Sequence, residues 1–365
     1  MKQLPMSVFN NARNEVGRKR VLWWGRFDPD YSRNRILRQA YAALGWEIVD
    51  FHPLLSRTAD IEALLRRLPT PDLIHVPCFR QRDIAAAHRY ARRHGLQLLI
   101  DPLISAYDKQ VFERGKFPEP CVQAKRLLRE EQQLFQHADI VLADTSEHAR
   151  FFVETLGVAQ EKAHVVYVGA EEALFGPAPN PHPPNNPIEV LFYGSFIPLQ
   201  GPQVIIDAAR IYQGPPVNWV LLGSGPLLDD CKRKAQGLTN VTFESWLPYA
   251  DLPDRIRRAD ILLGVFGTTP KAQRVIPNKV FQALACGKPV VTCSAPSYGS
   301  QIRALEEGIN FVTAGRPHEL ADAVGRLAID PAQLEQHGRA ARALYVLHFS
   351  VKRIEQQLVS ALSSK

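Results

Sequence analysis

The amino-acid sequence predicts an α/β protein built from two parallel-sheet domains that face a cleft. Short apolar strands alternate with amphipathic helices along the chain, which is the pattern of a parallel sheet with crossover helices. A proline-rich run interrupts this pattern near the middle, and 365 residues exceed the size at which one hydrophobic core stops growing. One domain is therefore expected on each side of residues 176–187.

The first half of the chain contains six predicted strands. Their sequences are, in order, RVLWWG, WEIVDF, DLIHV, LQLLID, DIVLAD and HVVYVG. Between the first two strands, residues 31–45 have the apolar periodicity of a helix that ends at Gly45. Asp30 or Ser32 is expected to cap this helix.

The domain boundary is predicted where six prolines occur within thirteen residues, in FGPAPNPHPPNNP, because such a run forms neither helix nor central strand. The strand pattern then restarts with IEVLFYG, VNWVLLG, VTFES, DILLGVF, KPVVTCS and INFVTA. We predict a first domain over 1–175, a linker over 176–187, a second domain over 188–345 and a C-terminal helix over 346–365. This last helix is expected either to pack on the second domain or to cross back to the first.

The net charge of +7 and the pI near 9.2 favour anionic partners such as phosphates or an acidic membrane surface. Basic residues cluster in RQRDIAAAHRYARRHG and AKRLLRE, which are expected to be solvated helix faces. Weak peripheral contact with a membrane is the alternative. Aromatic residues do not alternate with these basic runs, so nucleic acid is not an expected partner.

Cellular location is predicted from segments that the sequence lacks. No stretch reaches eighteen consecutive apolar residues, and the first twenty residues have no apolar core of a signal peptide. Five cysteines show no paired spacing, which indicates reduced thiols rather than disulfides or a zinc site. We predict a cytoplasmic protein, with a peripheral place at the inner face of the membrane as the alternative.

Three cations and no acid occur in the stretch RVIPNKVFQALACGKPVV of the second domain, and two of them, Arg274 and Lys279, precede or begin a predicted helix. Pro277 suits the first helical position, and Asn278 and Gln282 then share a face with Lys279 beside them. The preceding loop follows a strand and contributes two hydroxyls and two cations: Thr268, Thr269, Lys271 and Arg274. Hydroxyl donors, a helix N-terminus and cations at the carboxyl end of a strand suit a diphosphate.

The second domain resembles the "group 1" retaining glycosyltransferases, which use nucleotide sugars and have the GT-B fold of two Rossmann-like domains. The resemblance rests on five segments in order, VLFYGSFIPLQGPQVIIDAA, VLLGSGP, VTFESWLPYADLPDRIRRADILLGVF, PNKVFQALACGKPVV and GINFVTAGRPHELADAVGRL. It implies an acceptor-binding first domain, a donor-binding second domain and transfer of a sugar to an acceptor hydroxyl. It further implies retention without a metal or other cofactor, in bacterial-type polysaccharide or glycolipid assembly, with a glycan or lipid-linked sugar as the possible acceptor.

Four charged positions depart from the family pattern. The arginine and lysine that usually follow the domain's first strand correspond to Ser195 and Gln200. The two glutamates that the family usually carries, near the donor sugar and at the ribose, correspond to Arg274 and Gln282. We therefore expect a variant donor site in which cations from the helix loop replace those of the first loop.

The resemblance and the charges together assign roles to residues. Arg274 and Lys279 are expected to neutralise the departing nucleoside diphosphate, and Asp101, at the end of the fourth strand, to orient or deprotonate the acceptor, with Asp108 as second choice. The remaining donor contacts are expected from Gly194, Ser195, Gly223, Gly225, Trp246, Leu247, Thr268, Thr269, Lys271, Asn278 and Gln282. Trp246 and Leu247 would contact the nucleobase, although Trp246 could instead belong to the core.

Two alternative functions fit the same fold. A sugar-nucleotide epimerase would need paired acids in the cleft, which the sequence does not reveal. A non-catalytic module that binds a glycan or a partner glycosyltransferase would explain the missing glutamates.

Overall fold

The computed structural model describes residues 18–180, 183–305 and 307–363. The first domain contains a six-stranded parallel sheet in the order β2-β1-β3-β4-β5-β6. The strands are β1 (Arg20–Trp24), β2 (Glu47–Phe51), β3 (Leu73–Val76), β4 (Gln97–Ile100), β5 (Ile140–Ala143) and β6 (Ala163–Val165). Five of the six lie within the predicted segments and β6 overlaps its segment, because their central residues are apolar and suit a sheet covered by helices.

The helices of the first domain are α1 (Ser32–Ala43), α2 (Ala59–Leu65), α3 (Ile84–His94), α4 (Ala106–Asp108), α5 (Val122–Gln136) and α6 (Ser146–Glu154). A π-helical turn, Lys109–Glu113, continues α4. The predicted cap of α1 is wrong, because Tyr31 is the N-cap residue and no side chain caps the helix. Asp30 instead pairs with Arg35, and its backbone N–H donates to Asp28.

The second domain contains another six-stranded parallel sheet, in the order β12-β11-β10-β7-β8-β9. Its strands are β7 (Ile188–Ser195), β8 (Val217–Ser224), β9 (Val241–Glu244), β10 (Ile261–Leu263), β11 (Val290–Cys293) and β12 (Ile309–Val312). Its helices are α7 (Pro202–Ile211), α8 (Leu228–Lys234), α9 (Leu252–Arg258), α10 (Asn278–Ala285), α11 (Gly299–Arg303), α12 (Pro317–Ala328) and α13 (Pro331–His348). The fold class predicted from the sequence is confirmed.

Short 3₁₀ segments connect several of these elements. They are Ser56–Thr58, Gln81–Asp83, Gln160–Lys162, Tyr249–Asp251, Pro270–Gln273 and Pro296–Tyr298. Within the residues that the structure describes, no helix is both long and apolar enough to cross a bilayer.

The last helix, α14 (Val351–Ser363), returns to the first domain. Its buried residues Ile354, Leu358 and Ala361 share a core with β1 and α1. The return lies beside the end of the first domain, since the Tyr345 hydroxyl donates to the Ala170 carbonyl and the Val351 N–H donates to the Glu172 carboxylate. The chain therefore passes twice between the two sheets, at adjacent places.

Candidate functional site

The carboxyl ends of β7 and β8 approach each other closely. Gly194 pairs with Gly223, and a Cβ atom at Gly223 would clash with the Gly194 carbonyl oxygen. A Cβ atom at Gly225 would lie 2.7 Å from the backbone nitrogen of Phe196. Glycine is therefore required where these two loops meet, and the exposed Ser195 lies at the same strand end.

Lys279 of α10 directs its ammonium group to this strand end. Its Nζ donates to Gln200 Oε1 at 2.7 Å and lies 3.7 Å from the ring centroid of Phe192. A Cβ atom at Gly194 would lie 3.1 Å from Nζ, so a side chain at this position would crowd the ammonium. Burial holds the pKa of Lys279 well below its usual value, because the charged form loses hydration.

Gln282, one turn further along α10, is buried and hydrogen-bonded at both ends of its amide. Its Oε1 accepts from the Tyr193 hydroxyl at 2.9 Å, and its Nε2 donates to the Tyr249 hydroxyl at 3.2 Å. The Tyr249 hydroxyl in turn donates to the Glu171 carboxylate. This chain of hydrogen bonds joins the second domain to the end of the first, and no periodicity of the sequence indicated its two tyrosines.

Lys271 and Arg274 pair with carboxylates of the first domain. The Lys271 ammonium contacts the Glu113 carboxylate, and the Arg274 guanidinium contacts the Asp108 carboxylate. The Arg274 guanidinium also lies 4.7 Å from the ring centroid of Phe151. The expectation that Lys271, Arg274 and Lys279 converge on one anion is therefore wrong in this structure, because each cation has a different partner.

A buried histidine extends the Arg274 contact, and sequence reasoning missed it. The His148 ring contacts the Asp144 carboxylate through Nδ1, and its Nε2 lies 3.8 Å from Asp108 Oδ2. Burial alone would lower the pKa of His148, but the carboxylates of Asp144 and Asp108 outweigh it and raise the pKa to about 9. Burial opposes ionisation of Asp108 as well, yet His148 and Arg274 lower the pKa of its carboxyl group.

Thr145 adds a backbone link at the same place, because its hydroxyl donates to the Arg274 carbonyl at 2.6 Å. A cavity of about 380 Å³ lies beside this contact and is lined by both domains. We call the contacts of Lys271, Arg274 and Thr145 with the opposite domain the domain seam.

Asp101 does not reach the cleft surface, so its predicted role as acceptor base is wrong in this structure. Its side chain is fully buried, and Arg33 donates to both carboxylate oxygens at 2.9 and 3.0 Å. Arg33 also donates to the Val166 and Tyr167 carbonyl groups at the end of β6. Asp101 therefore fixes α1 and β6 against β4.

The remaining predicted site residues lie around the loops of the second domain. Trp246 is 61% exposed, so it does not belong to the core, and Leu247 beside it is partly buried. Thr268 is exposed, whereas the Thr269 hydroxyl caps the 3₁₀ segment that begins at Pro270. Asn278 is partly buried at the start of α10, with Pro277 as the N-cap residue rather than the first helical residue.

Each of the two domains matches a known protein family. Residues 22–169 match the family model of the glycosyl transferase 4-like domain, and residues 187–330 match that of the group 1 glycosyl transferases. The chain belongs to the group 1 glycosyl transferases. At Gln200, where the family resemblance led us to expect a lysine, the group 1 chain has instead the ammonium of Lys279 within hydrogen-bond distance.

Relatives of this group 1 chain include the D-inositol 3-phosphate glycosyltransferase of Kribbella flavida, 30% identical over 246 residues, which are 61% of this chain and 55% of that protein. The chain spans about half the length of the curated relatives that it matches first.

Solved structures with the same fold include Anabaena Alr3699/HepE in complex with UDP, at 19% identity and a TM-score of 0.69 over 95% of this chain and 100% of that one. Sucrose-phosphate synthase from Thermosynechococcus elongatus has a TM-score of 0.70 at 19% identity, over 95% of this chain and 98% of that one.

Proposed function

We propose that the chain transfers a sugar from a nucleoside-diphosphate sugar to an acceptor hydroxyl, with retention and without a metal. Family membership supports the reaction class, and the solved structure of Anabaena Alr3699/HepE contains UDP. The observation that carries the proposal is the buried ammonium of Lys279 at the carboxyl end of β7. Ligands of open parallel sheets bind at such strand ends.

Lys279 would neutralise the diphosphate in place of the two cations that the family resemblance expects in the β7 loop. Its hydrogen bond to Gln200 places the cation beside one of those positions, although it comes from a different element. Among the described residues the buried ammonium has no carboxylate partner, so its desolvation is not offset there by an opposite charge. A diphosphate would supply that charge, and the exposed Ser195 hydroxyl would assist as a donor.

The nucleoside would lie towards Trp246, whose exposed ring suits stacking on a base. Gln282 would contact the ribose only if a ribose hydroxyl replaced the Tyr249 hydroxyl at Nε2. We propose no base for the acceptor, since Asp101 is enclosed by Arg33. We retain a glycan or lipid-linked sugar as the acceptor class, and a cytoplasmic location with peripheral membrane contact.

Calorimetric titration of UDP into the wild-type chain and the Lys279→Met variant tests this proposal. A hydrogen bond to a charged group contributes about 1.5–3 kcal/mol, so the variant is expected to bind UDP about tenfold to a hundredfold more weakly. Lys288→Met is the matched control, because Lys288 follows α10 at its opposite end and leads into β11. Its UDP affinity is expected to equal that of wild type, with or without EDTA.

The products distinguish the alternatives. Release of UDP from UDP-glucose, followed by chromatography, supports transfer or its hydrolytic side reaction, whereas an altered sugar still attached to UDP indicates an epimerase. Absence of binding across uridine, guanosine and adenosine diphosphates contradicts the proposal and favours the non-catalytic module. Equal UDP affinity of the Lys279→Met variant and wild type would exclude the assigned site.

A further inference from the structure

Large exposed apolar side chains are concentrated in one segment of the first domain. Of the twelve among the described residues, four lie between residues 54 and 65: Leu54 at 67% exposure, Leu55 at 65%, Ile61 at 56% and Leu65 at 79%. Ile61 and Leu65 are four residues apart on α2, so they share one face, while Ala59 and Ala63 of the same helix are buried. We call these four residues the Leu54 patch.

The loop that begins the Leu54 patch lies at the cleft edge of the first sheet. Arg26, in the loop that follows β1, donates from Nε to the Pro53 carbonyl and from Nη2 to the Leu54 carbonyl, each at 2.7 Å. These bonds fasten the apolar loop to the carboxyl end of the sheet. Loops at that edge are the ones that reach a ligand in the cleft.

The charge around the patch is positive. Arg57, Arg66 and Arg67 are exposed within the same segment. Its two acids are both paired, since the Asp60 carboxylate accepts from Arg89 and the Glu62 carboxylate accepts from the Leu54 N–H and contacts Arg66. Apolar tips with flanking arginines are the composition that binds the interface of an anionic bilayer.

We propose that the Leu54 patch docks on the interfacial region of an anionic membrane and presents the cleft to an acceptor held there. The proposal rests on the proposed function, and it assigns membrane contact to α2 and its preceding loop rather than to the basic runs of α3 and α5. Cations in those runs are partly paired within the chain: Arg89 with Asp60 and Arg126 with Glu130.

Charge favours a membrane over a second copy of the chain as the occupant. A symmetric dimer through the patch would bring two copies of the same arginines into one interface, which is unfavourable. An anionic lipid surface instead attracts each of them, by about fivefold in affinity per arginine near the surface.

Flotation with vesicles tests the proposal on the full chain. Wild type is expected to float with vesicles of phosphatidylcholine containing 30 mol% phosphatidylglycerol, and not with pure phosphatidylcholine. Leu54→Asp/Leu65→Asp is expected to lose at least about tenfold in vesicle affinity, since two apolar side chains no longer insert. Arg57→Ser/Arg67→Ser is expected to lose about twenty-fivefold.

Leu347→Asp on α13 is the matched control, because Leu347 is 68% exposed and lies outside the patch. Its flotation is expected to equal that of wild type. Thermal unfolding of every variant tests whether it is folded, and UDP titration tests whether its donor site is intact. A variant that has lost only membrane docking is expected to bind UDP like wild type.

Three results would overturn docking. They are absence of wild-type flotation, equal flotation of the patch variant and wild type, and a sedimenting dimer that the patch variant dissociates. The last result would make a second copy the occupant.

Discussion

The side-chain nitrogen of Lys279 lies where little water reaches it, and the residue is 6% exposed. The nearest polar partner is the neutral amide of Gln200, so the ammonium has solvation from one hydrogen bond and from the face of Phe192. Such a group has two ways to lower its free energy, since it can lose its proton or bind an anion. Loss of the proton depends on pH, and binding of the anion depends on ligand concentration. Both can therefore be measured by titrating the ligand at several pH values.

UDP affinity is expected to fall as pH rises through the lowered pKa of Lys279. The diphosphate binds the ammonium form, and the ligand-free protein releases that proton at a lower pH than an exposed lysine does. Lys279→Arg is expected to remove the dependence, because guanidinium stays charged. Calorimetry from about pH 7 to pH 10 measures both; an identical slope in the arginine variant would contradict the assignment.

For single residues, the sequence predicts which residues belong to a site better than it predicts which residues they contact. Lys279 follows from a proline, a helix pattern and a preceding strand, all within twenty residues. Its contact with Gln200 joins positions 79 residues apart, and Arg33 encloses Asp101 from 68 residues away. The burial of Asp101 could therefore not be predicted from its position at a strand end.

Elements were predicted more completely, because strand and helix patterns are local. Each of the twelve strands among the described residues overlaps a predicted segment, and the helix that contains Lys279 begins one residue after the predicted start. The start of α1 was misjudged, since a polar residue near a helix start often caps it but here is engaged elsewhere. The destination of the last helix was left open by its amphipathic pattern, which shows a buried face without showing what covers it.

Ile354→Ala is expected to destabilise the protein by about 2–5 kcal/mol. Ile354 is fully buried in the core that α14 shares with β1 and α1, so truncation leaves a cavity between the C-terminal helix and the first sheet. Val359→Ala on the same helix is the control, with 42% exposure and an expected change within about 0.5 kcal/mol. Urea unfolding measures both, and equal midpoints would show that α14 does not stabilise the first domain.

For the whole molecule, the domain seam assigns Arg274 a positioning role. Its guanidinium contacts Asp108 and its carbonyl accepts from Thr145, so both parts of the residue hold the opposite domain. Sequence reasoning placed Arg274 at the donor, and these partners, 166 and 129 residues away, were beyond its reach. The same distance explains why the cleft was predicted while the contacts across it were not.

Arg274→Ala is expected to lower turnover and to leave UDP affinity within about threefold of wild type. Removing the guanidinium leaves the buried Asp108 without its closest cation, which costs about 3 kcal/mol of stability. A direct role at the diphosphate predicts instead a loss of UDP affinity like that of Lys279→Met. Titration of UDP distinguishes the positioning role from the direct role, and urea unfolding measures the loss of stability. Gln273→Ala on the same segment is the control.

Protonation of His148 is expected to make stability depend on pH. Its pKa rises from 6.5 to about 9 in the folded protein, so its contribution is complete below about pH 6.5 and is lost as pH rises through 9. The contribution is on the order of 3 kcal/mol. His148→Gln is expected to flatten this part of the profile in urea unfolding at successive pH values; an unchanged decline would assign it to other groups.

The double passage of the chain between the sheets has a mechanical consequence. At the crossing, Gly169 has a φ of +70°, and a Cβ atom there would lie 3.0 Å from the Phe349 carbonyl oxygen and would clash with Ile354. The two crossing segments are therefore in close contact at Gly169, a residue without a side chain. Because the two crossings are adjacent, we expect any movement of one domain relative to the other to pivot at this contact. We therefore expect a side chain at Gly169 to change the width of the cleft without altering any residue of the candidate site.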